Sequence, residues 1–549
     1  MTIVSRNIVA INAKYRVSGW EVFVLQAVFH WHVACSLPLI QVSEPLLDWE
    51  KTMLALISVQ NSFIDLGIRQ ISAACRSQDI PTFVLWLNRE PHELLTDRDL
   101  DQVAAWVRQT GALAVGLNVM SVHLSLAGQI TATIRNTLGI PVIWGGAHAI
   151  LEPRQSVQEA DFVCVGEGEW TIAPLMEAIR RRQVSPDIRN FWYRHNETLV
   201  MNDREIVKDL DALPLPDHSI RDHWIMSKSG RIDAATCSLF REGFPWNAGR
   251  HIIMSSRGCP NHCTYCCSTA MRRLFGPKWN ARFRSVEHFM DEIRTILDHV
   301  PFIRTFAIMD DSFFCKPSGW IDDFCREFKK TGASFGVLLH PGSVTHERIA
   351  MLVDSGLIGI QMGLQSGSER ISGAIFKRPE SVADFKNAAA VLDDFSDRLH
   401  SRTYDVIVDN PYETDQDREA TLRVLLDLNK PFNIDLFSLT LYPGTQLYEE
   451  YQQAGTDIPE DLACENKNFI EHHQTPMNRL LRLVHSNPRF IIRFLLSAYH
   501  APLGKSLIIL FDSVWEQGIR RLLRAIKHLS FRLISHPGHP GDDPLTGRE

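Results

Sequence analysis

Short apolar runs recur along this chain, separated by stretches whose apolar positions repeat at helical spacing. Five such runs stand between residues 52 and 184, at 53–59, 82–87, 112–117, 141–144 and 161–165. They are near-continuously apolar rather than alternating, which predicts strands buried on both faces. Helical periodicity fills the gaps, as at 97–109 and 170–181. Strands separated by helices predict βαβ units and a parallel sheet with both faces covered. A second series follows, with strand candidates at 252–254, 305–309, 334–339, 359–363, 403–408 and 436–441 and helices at 285–299 and 348–355. Sheets of these kinds bind ligands beyond the carboxyl ends of their strands.

The remaining segments are less regular. Residues 1–51 offer a strand candidate at 8–11 and an apolar stretch at 20–42, broken by Glu21, His30 and His32. That stretch reads as a buried helix, because a membrane span needs about 18 or more uninterrupted apolar residues. Residues 185–250 read as a connector; Asp209 to Asp217 is punctuated by Pro214 and Pro216 and cannot be a regular helix. The catalytic core is expected at 251–450 and a helical, basic tail at 451–549. From Arg479 onward the tail carries eleven Lys or Arg against five Asp or Glu. Its apolar runs at 490–496 and 507–511 precede a basic amphipathic helix expected at 520–527. Such a helix suits an anionic membrane surface; the preferred expectation is a helical cap that closes over a substrate.

Composition narrows the class. A chain of 549 residues suggests about three domains, and 45% hydrophobic with 22% charged residues is ordinary for a soluble globular protein. A net charge of -7 argues against a nucleic-acid partner. The opening residues, Met1 to Arg6, lack the plan of a signal peptide, so the cytoplasm is expected. Eleven cysteines are few, scattered and odd in number, which speaks against a disulfide framework.

Three of those cysteines carry the chemistry. Cys259, Cys263 and Cys266 stand at C-x3-C-x2-C spacing in Ser256-Arg257-Gly258-Cys259-Pro260-Asn261-His262-Cys263-Thr264-Tyr265-Cys266. Three thiolates on one loop can hold three corners of an iron–sulfur cube, leaving one iron open where four cysteines would close it. A structural zinc site is the competing reading, with His262 or Cys267 as fourth ligand, although no second cysteine knuckle lies nearby. Buried inert thiols are a third. Two strand ends are rich in glycine: Gly145 and Gly146 follow the fourth strand, Gly166 and Gly168 the fifth. Glycine there permits close backbone approach to a flat ligand, or simply a turn.

The triplet, with Tyr265 before its third cysteine, resembles the cluster motif of the radical S-adenosylmethionine (SAM) superfamily. The stretches Phe63 to Arg69, Val115 to Leu117, Trp144 to His148 and Val165 to Glu169 resemble the cobalamin-binding domain that precedes many radical SAM cores. The Leu213-Pro214-Leu215-Pro216 stretch resembles the linker between the two. The fold implied is α/β: a Rossmann-like parallel sheet at 52–184, a partial (βα)6 barrel at 251–450 and a mainly helical C-terminal region. The cofactors implied are a 4Fe-4S cluster, S-adenosyl-L-methionine and cobalamin.

The resemblance also assigns residues. Asp310 and Asp311 would approach the SAM amino group, although either equally suits a helix cap. Gln365 stands where the family's G-x-E-S-G-S element has glutamate, so a contact to SAM there would lack the charge, while Ser366 suits a ribose or carboxylate contact. Asp405 opens the fifth-strand element that meets adenine, and the four glycines would floor the cobalamin site. One departure is clear: the loop from Ser58 to Gly67 lacks the D-x-H-x-x-G histidine that ligates cobalt in many cobalamin domains. His123 and His148 are then candidate neighbours of the corrin. The activity implied is formation of a 5′-deoxyadenosyl radical and methyl transfer to an unactivated carbon. Oxidative cyclisation or rearrangement is the alternative outcome, and a non-catalytic cobalamin or iron–sulfur sensor the alternative of another class. The partners expected are a small-molecule, lipid-like substrate, an electron donor of the flavodoxin or ferredoxin type, and a membrane surface touched by the tail.

Overall fold

In the computed structural model, residues 52–515 and Gly518 are described, apart from 61–62, 64, 91–92, 184–185, 243–249, 301, 456 and 466. The strand and helix expected within residues 1–51, and the basic helix expected at 520–527, lie outside the described residues.

The first sheet is built on β1 (Leu54–Ser58), β2 (Thr82–Trp86), β3 (Ala114–Asn118), β4 (Val142–Gly145) and β5 (Phe162–Cys164). All five residues of β1 are buried, as expected of a central strand covered on both faces. The connector adds β6 (Phe191–His195), β7 (Thr198–Met201), β8 (His223–Met226) and β9 (Ile232–Ala234). The order is β7-β6-β5-β4-β3-β1-β2-β8-β9. Strands β5 to β8 of that order pair in parallel, and an antiparallel strand pair or hairpin closes each edge. Residues 185–250 are therefore more than a linker. Their strands are short and their prolines conceal the pattern, so edge strands escape a reading that looks for apolar runs.

The second sheet takes β10 (Arg250–Ile253), the short antiparallel pair β11 (Ser256–Arg257) and β12 (Arg282–Phe283) outside it, then β13 (Thr305–Ile308), β14 (Ser334–Leu339), β15 (Leu357–Gln365), β16 (Ser401–Val408) and β17 (Asn433–Ser438). The six strands β10-β13-β14-β15-β16-β17 are all parallel and pair in chain order, a curled half-barrel. An aromatic seam of Phe313, Trp320, Phe324, Phe328 and Phe335 fills the space between its early strands and their helices. Burial of each such ring contributes about 1.5–3 kcal/mol.

The two sheets share one hydrophobic core, in which Leu54 and Trp86 of the first belong with Ile253 and Phe289 of the second. The connector is pinned to the half-barrel: His218 Nε2 lies 2.7 Å from Glu292 Oε1, and His288 Nε2 lies 3.1 Å from the Leu213 carbonyl. In the tail, helices Pro476–Leu483, Arg489–Ala498 and Gly504–Val514 bury Leu480, Leu481, Ile492 and Leu495 in the same core. The first of them packs against the helix Asp415–Asp427, and the three pack on one another.

Candidate active site between two cavities

The cysteine loop is positioned by what precedes it. Strand β10 ends at Ile253, and Asp310, at the carboxyl end of β13, accepts from the Ser255 amide at 2.7 Å, the Ser256 amide at 2.9 Å and the Ser255 hydroxyl at 2.5 Å. That carboxylate is fully buried and pairs with Lys316. Gly258 then turns at φ 90 and donates its amide to Asp311 Oδ2 at 3.1 Å. Arg272, from the helix Cys267–Phe275, donates to the Cys259 carbonyl, and Thr269 Oγ1 donates to the Cys263 carbonyl at 2.9 Å. The loop is thus tied at both ends before any ligand arrives.

The three thiols line one cavity of about 220 Å3. His262 is exposed and faces Arg272, and neither His262 nor Cys267 lines the cavity, so neither stands where the zinc alternative needs its fourth ligand. Among the described residues no three His, Cys, Asp or Glu side chains are grouped to hold a single metal ion. Three soft donors spread around a void suit a cluster, which occupies the space between them. Burial pushes the Cys259 thiol up to about 12 and the Cys266 thiol up to about 11. Metal binding must therefore displace their protons.

The opposite wall of this cavity holds Gln361, Gln365 and Asp405. Gln365 ends β15 at a register shift, with φ 61, a conformation a non-glycine residue adopts at a cost of about 1–3 kcal/mol. Gly363 makes room for it: a Cβ there would stand 2.5 Å from Gln365 Nε2. The Gln365 Oε1 has no hydrogen-bond partner, a buried acceptor suited to an ammonium or hydroxyl donor. Burial pushes Asp405 up to about 7, against the hydrogen bond from Gln361 Nε2 at 2.9 Å. Ser366 lies elsewhere: it is fully buried, with its hydroxyl 3.3 Å from Glu413 and 3.4 Å from Thr421, outside the cavity. Asp310 is likewise absent from the cavity wall, whereas Asp311 is part of it.

A second cavity, of about 400 Å3, opens at the carboxyl edge of the first sheet, within the usual size of a ligand pocket. Gly145, Gly146, Gly166 and Gly168 all line it, with Leu56, Ile143 and Phe191 among its apolar walls. Gly146, at φ 94, has no room for a Cβ, which would meet Asn118 Oδ1 at 2.2 Å and the Val119 carbonyl at 2.8 Å. Gly166 is pressed against Asn190 in the same way, at 2.2 Å. A glycine-floored, largely apolar cavity suits the face of a corrin. His123 and His148 are buried nearby but do not line it; His148 Nδ1 faces Ser121 Oγ at 3.0 Å, and burial pushes His123 down to about 4. His288 does line it, with Nε2 engaged by the connector.

The two cavities meet at Asp311, which lines both. Its carboxyl faces open space while protein crowds round it. That burial, and then the neighbouring Asp310 carboxylate, hold it above the usual carboxylate range. Across the seam, Glu169 Oε1 lies 2.7 Å from Arg257 Nη2, and Glu167 pairs with both Arg257 and Arg282. The glycine loop of the first sheet is thereby clasped to the strand that leads into the cysteine loop. Arg257, Glu167, Glu169, His340 and Arg378 are site residues that sequence reasoning missed. Arg257 and the two glutamates stand inside the quoted motifs, but only the fold shows that they pair.

Two family models match the chain: the B12 binding domain over residues 53–175 and the Radical SAM superfamily over residues 253–425. An uncharacterized methyltransferase of Pyrococcus horikoshii, PH0819, is 24% identical over 466 residues, spanning 81% of this chain and 92% of that protein. The cytidylyl-2-hydroxyethylphosphonate methyltransferase of Streptomyces wedmorensis is 24% identical over 313 residues, 52% of this chain and 55% of that protein. Among solved structures, the radical SAM methyltransferase TsrM of Kitasatospora setae, with tryptophan substrate and a SAM analogue bound, superposes with a TM-score of 0.58 at 15% identity over 74% of this chain and 78% of that one. The cobalamin-dependent SAM radical enzyme OxsB, with aqua-cobalamin and SAM bound, gives 0.61 at 15% identity over 89% and 82%. These neighbours share the fold: a parallel sheet, then a half-barrel, then helices. The chain thus carries a B12 binding domain ahead of a Radical SAM superfamily domain.

Proposed function

We propose that this protein is a cobalamin-dependent radical SAM methyltransferase acting on an unactivated carbon of a small molecule. The observation that carries this reading is that the thiol-lined cavity and the glycine-floored cavity adjoin at a single side chain, Asp311. A substrate lodged there would face both cofactors at once. The 4Fe-4S cluster with SAM supplies the 5′-deoxyadenosyl radical, and cobalamin supplies the methyl group. The chain's own part is to hold and orient them. Cys259, Cys263 and Cys266 would ligate the cluster. Asp311 and Gln365 offer acceptors to the ammonium and hydroxyls of SAM, and Asp405 a hydrogen-bonding group to the adenine side. Gly145, Gly146, Gly166 and Gly168 admit the corrin. Asp310 and Ser366 act from behind, as braces for the two loops.

Incubation with SAM carrying a trideuterated methyl group tests the reading. The expected result is a substrate heavier by one labelled methyl group, with about two SAM consumed per turnover. A product formed without label would instead favour cyclisation or rearrangement. Absence of 5′-deoxyadenosine under strong reductant would favour a sensor. An electron donor of the flavodoxin or ferredoxin class, and the reducing cytoplasm, suit a cluster with an open iron.

A lipid-like substrate and membrane contact are a second reading, favoured by one observation. The tail helices expose Phe490 at 73%, Phe494 at 63%, Leu503 at 79% and Leu510 at 62%, beside Arg493 and Lys505. No helix among the described residues is long and apolar enough to cross a membrane, so the contact would be peripheral. Co-sedimentation with vesicles containing phosphatidylglycerol, lost on replacing Phe490 and Phe494 by serine, is the expected outcome.

A further inference from the structure

The wall of the thiol-lined cavity carries a charge that the proposed chemistry does not use. Arg378 is 5% exposed and stands against Glu380, with Nη2 3.2 Å from Glu380 Oε2. The same guanidinium donates to the Gly363 carbonyl at 3.1 Å and to the Tyr265 hydroxyl at 3.3 Å. Tyr265 and Cys263 line the same cavity as Arg378. The contacts Glu380–Arg378–Tyr265 therefore stand in the wall that also carries a cluster ligand. Glu380 is further held by His340 Nδ1 at 3.2 Å, and His340 Nε2 accepts from the Asn261 side-chain amide of the cysteine loop at 3.3 Å. The pair is thus fixed on both sides and cannot swing into solvent without breaking the loop's own contacts.

We propose that Arg378 is a redox-tuning residue: its buried cation, in the cavity wall it shares with Cys259, Cys263 and Cys266, raises the reduction potential of the cluster, and Glu380 opposes it. This rests on the cluster reading of Cys259, Cys263 and Cys266. Reduction adds one electron to an already anionic thiolate-bound cluster. A fixed cation in a low-dielectric wall favours the more negative state, and a fixed carboxylate disfavours it. Arginine suits the task because its guanidinium stays charged when buried.

The test uses the full chain, reconstituted anaerobically with iron and sulfide, without SAM or cobalamin, so that no contact to SAM enters the result. Titanium(III) citrate supplies the electron and is oxidised to titanium(IV), and EPR follows the reduced cluster against potential with dye mediators. Arg378→Gln is expected to lower the midpoint potential, Arg378→Lys to stay near the parent, and Glu380→Gln to raise it. Opposite shifts from the two partners cannot come from a general loosening of the site. An Arg378→Gln midpoint equal to or above the parent's, or Glu380→Gln shifting the same way as Arg378→Gln, overturns the proposal. So does a parent that holds the cluster beside an Arg378→Gln protein that holds none, since the residue would then only support the loop. A parent that takes up no cluster would overturn the cluster reading itself.

Discussion

Lys316 Nζ lies 2.6 Å from Asp310 Oδ2, with both side chains fully buried. The same carboxylate accepts from the Ser255 and Ser256 amides, so it braces the turn that delivers the cysteine loop. Asp311, next in the chain, opens on both cavities instead. Of two adjacent carboxylates, one is held inside the turn and the other lines both cavities. Asp310→Ala strands a buried ammonium and two amides, and is expected to cost about 3–5 kcal/mol in urea unfolding and to abolish cluster uptake. Asp311→Asn is expected to unfold within about 0.5 kcal/mol of the parent. Its loss should appear in 5′-deoxyadenosine formation, by about tenfold or more, as for a hydrogen bond to a charged group.

Gly146 tests the floor of the larger cavity. A Cβ there collides with Asn118 and the Val119 carbonyl at a backbone angle unfavourable to other residues. Gly146→Ala is expected to weaken hydroxocobalamin binding, read by absorbance titration, by about tenfold or more, since strain of about 1–3 kcal/mol falls on the loop itself. Cluster reconstitution should survive, because the cysteine loop is held by Asp310 and Arg272.

Much of this was legible beforehand, for a physical reason. Buried parallel strands such as 53–59 and 334–339 announce themselves because they are apolar on both faces, and the cysteine spacing is a local pattern. The four glycines stand out because they follow strands, and all four line the larger cavity. What escaped was non-local. Strands β6 to β9 lie at sheet edges and lack long apolar runs. Asp310 and Asp311 look alike in sequence, and only the turn at Ser255 decides which faces the cavity. Ser366 is drawn away by Glu413 and Thr421, residues 47 and 55 positions further on. Arg378 reaches Tyr265 across 113 positions, which no spacing rule encodes.

The clasp between Arg257 and the glutamates should link the two halves energetically. Arg257→Ala removes the partner of Glu169 and one of the two cations around Glu167, leaving Arg282 on the latter. Breaking such a buried pair is expected to cost about 3–5 kcal/mol in thermal or urea unfolding and to weaken cobalamin binding as well. Arg257→Lys should recover part of both, since it restores charge but not the two-pronged geometry.

Asp405 predicts a pH dependence of stability in the cofactor-free protein. Its folded-state value, about 7, lies above the ordinary 3.8, so the folded state binds the proton more tightly than the unfolded state does. Its contribution is therefore complete below about pH 4 and is lost as pH rises through about 7. Asp405→Asn, which keeps an acceptor for Gln361, is expected to stabilise the protein by up to about 4 kcal/mol at pH 8 and little at pH 4. Urea unfolding at the two pH values checks the sign.

The account as a whole turns on the cysteine triplet. Its most direct test is low-temperature EPR of the anaerobically reconstituted, reduced protein, before and after SAM, compared with a variant in which Cys259, Cys263 and Cys266 are all alanine. The account predicts a reduced-cluster signal in the parent, altered by SAM at the open iron, and no such signal in the variant. An unchanged signal in the triple variant, or a parent signal indifferent to SAM, would contradict it.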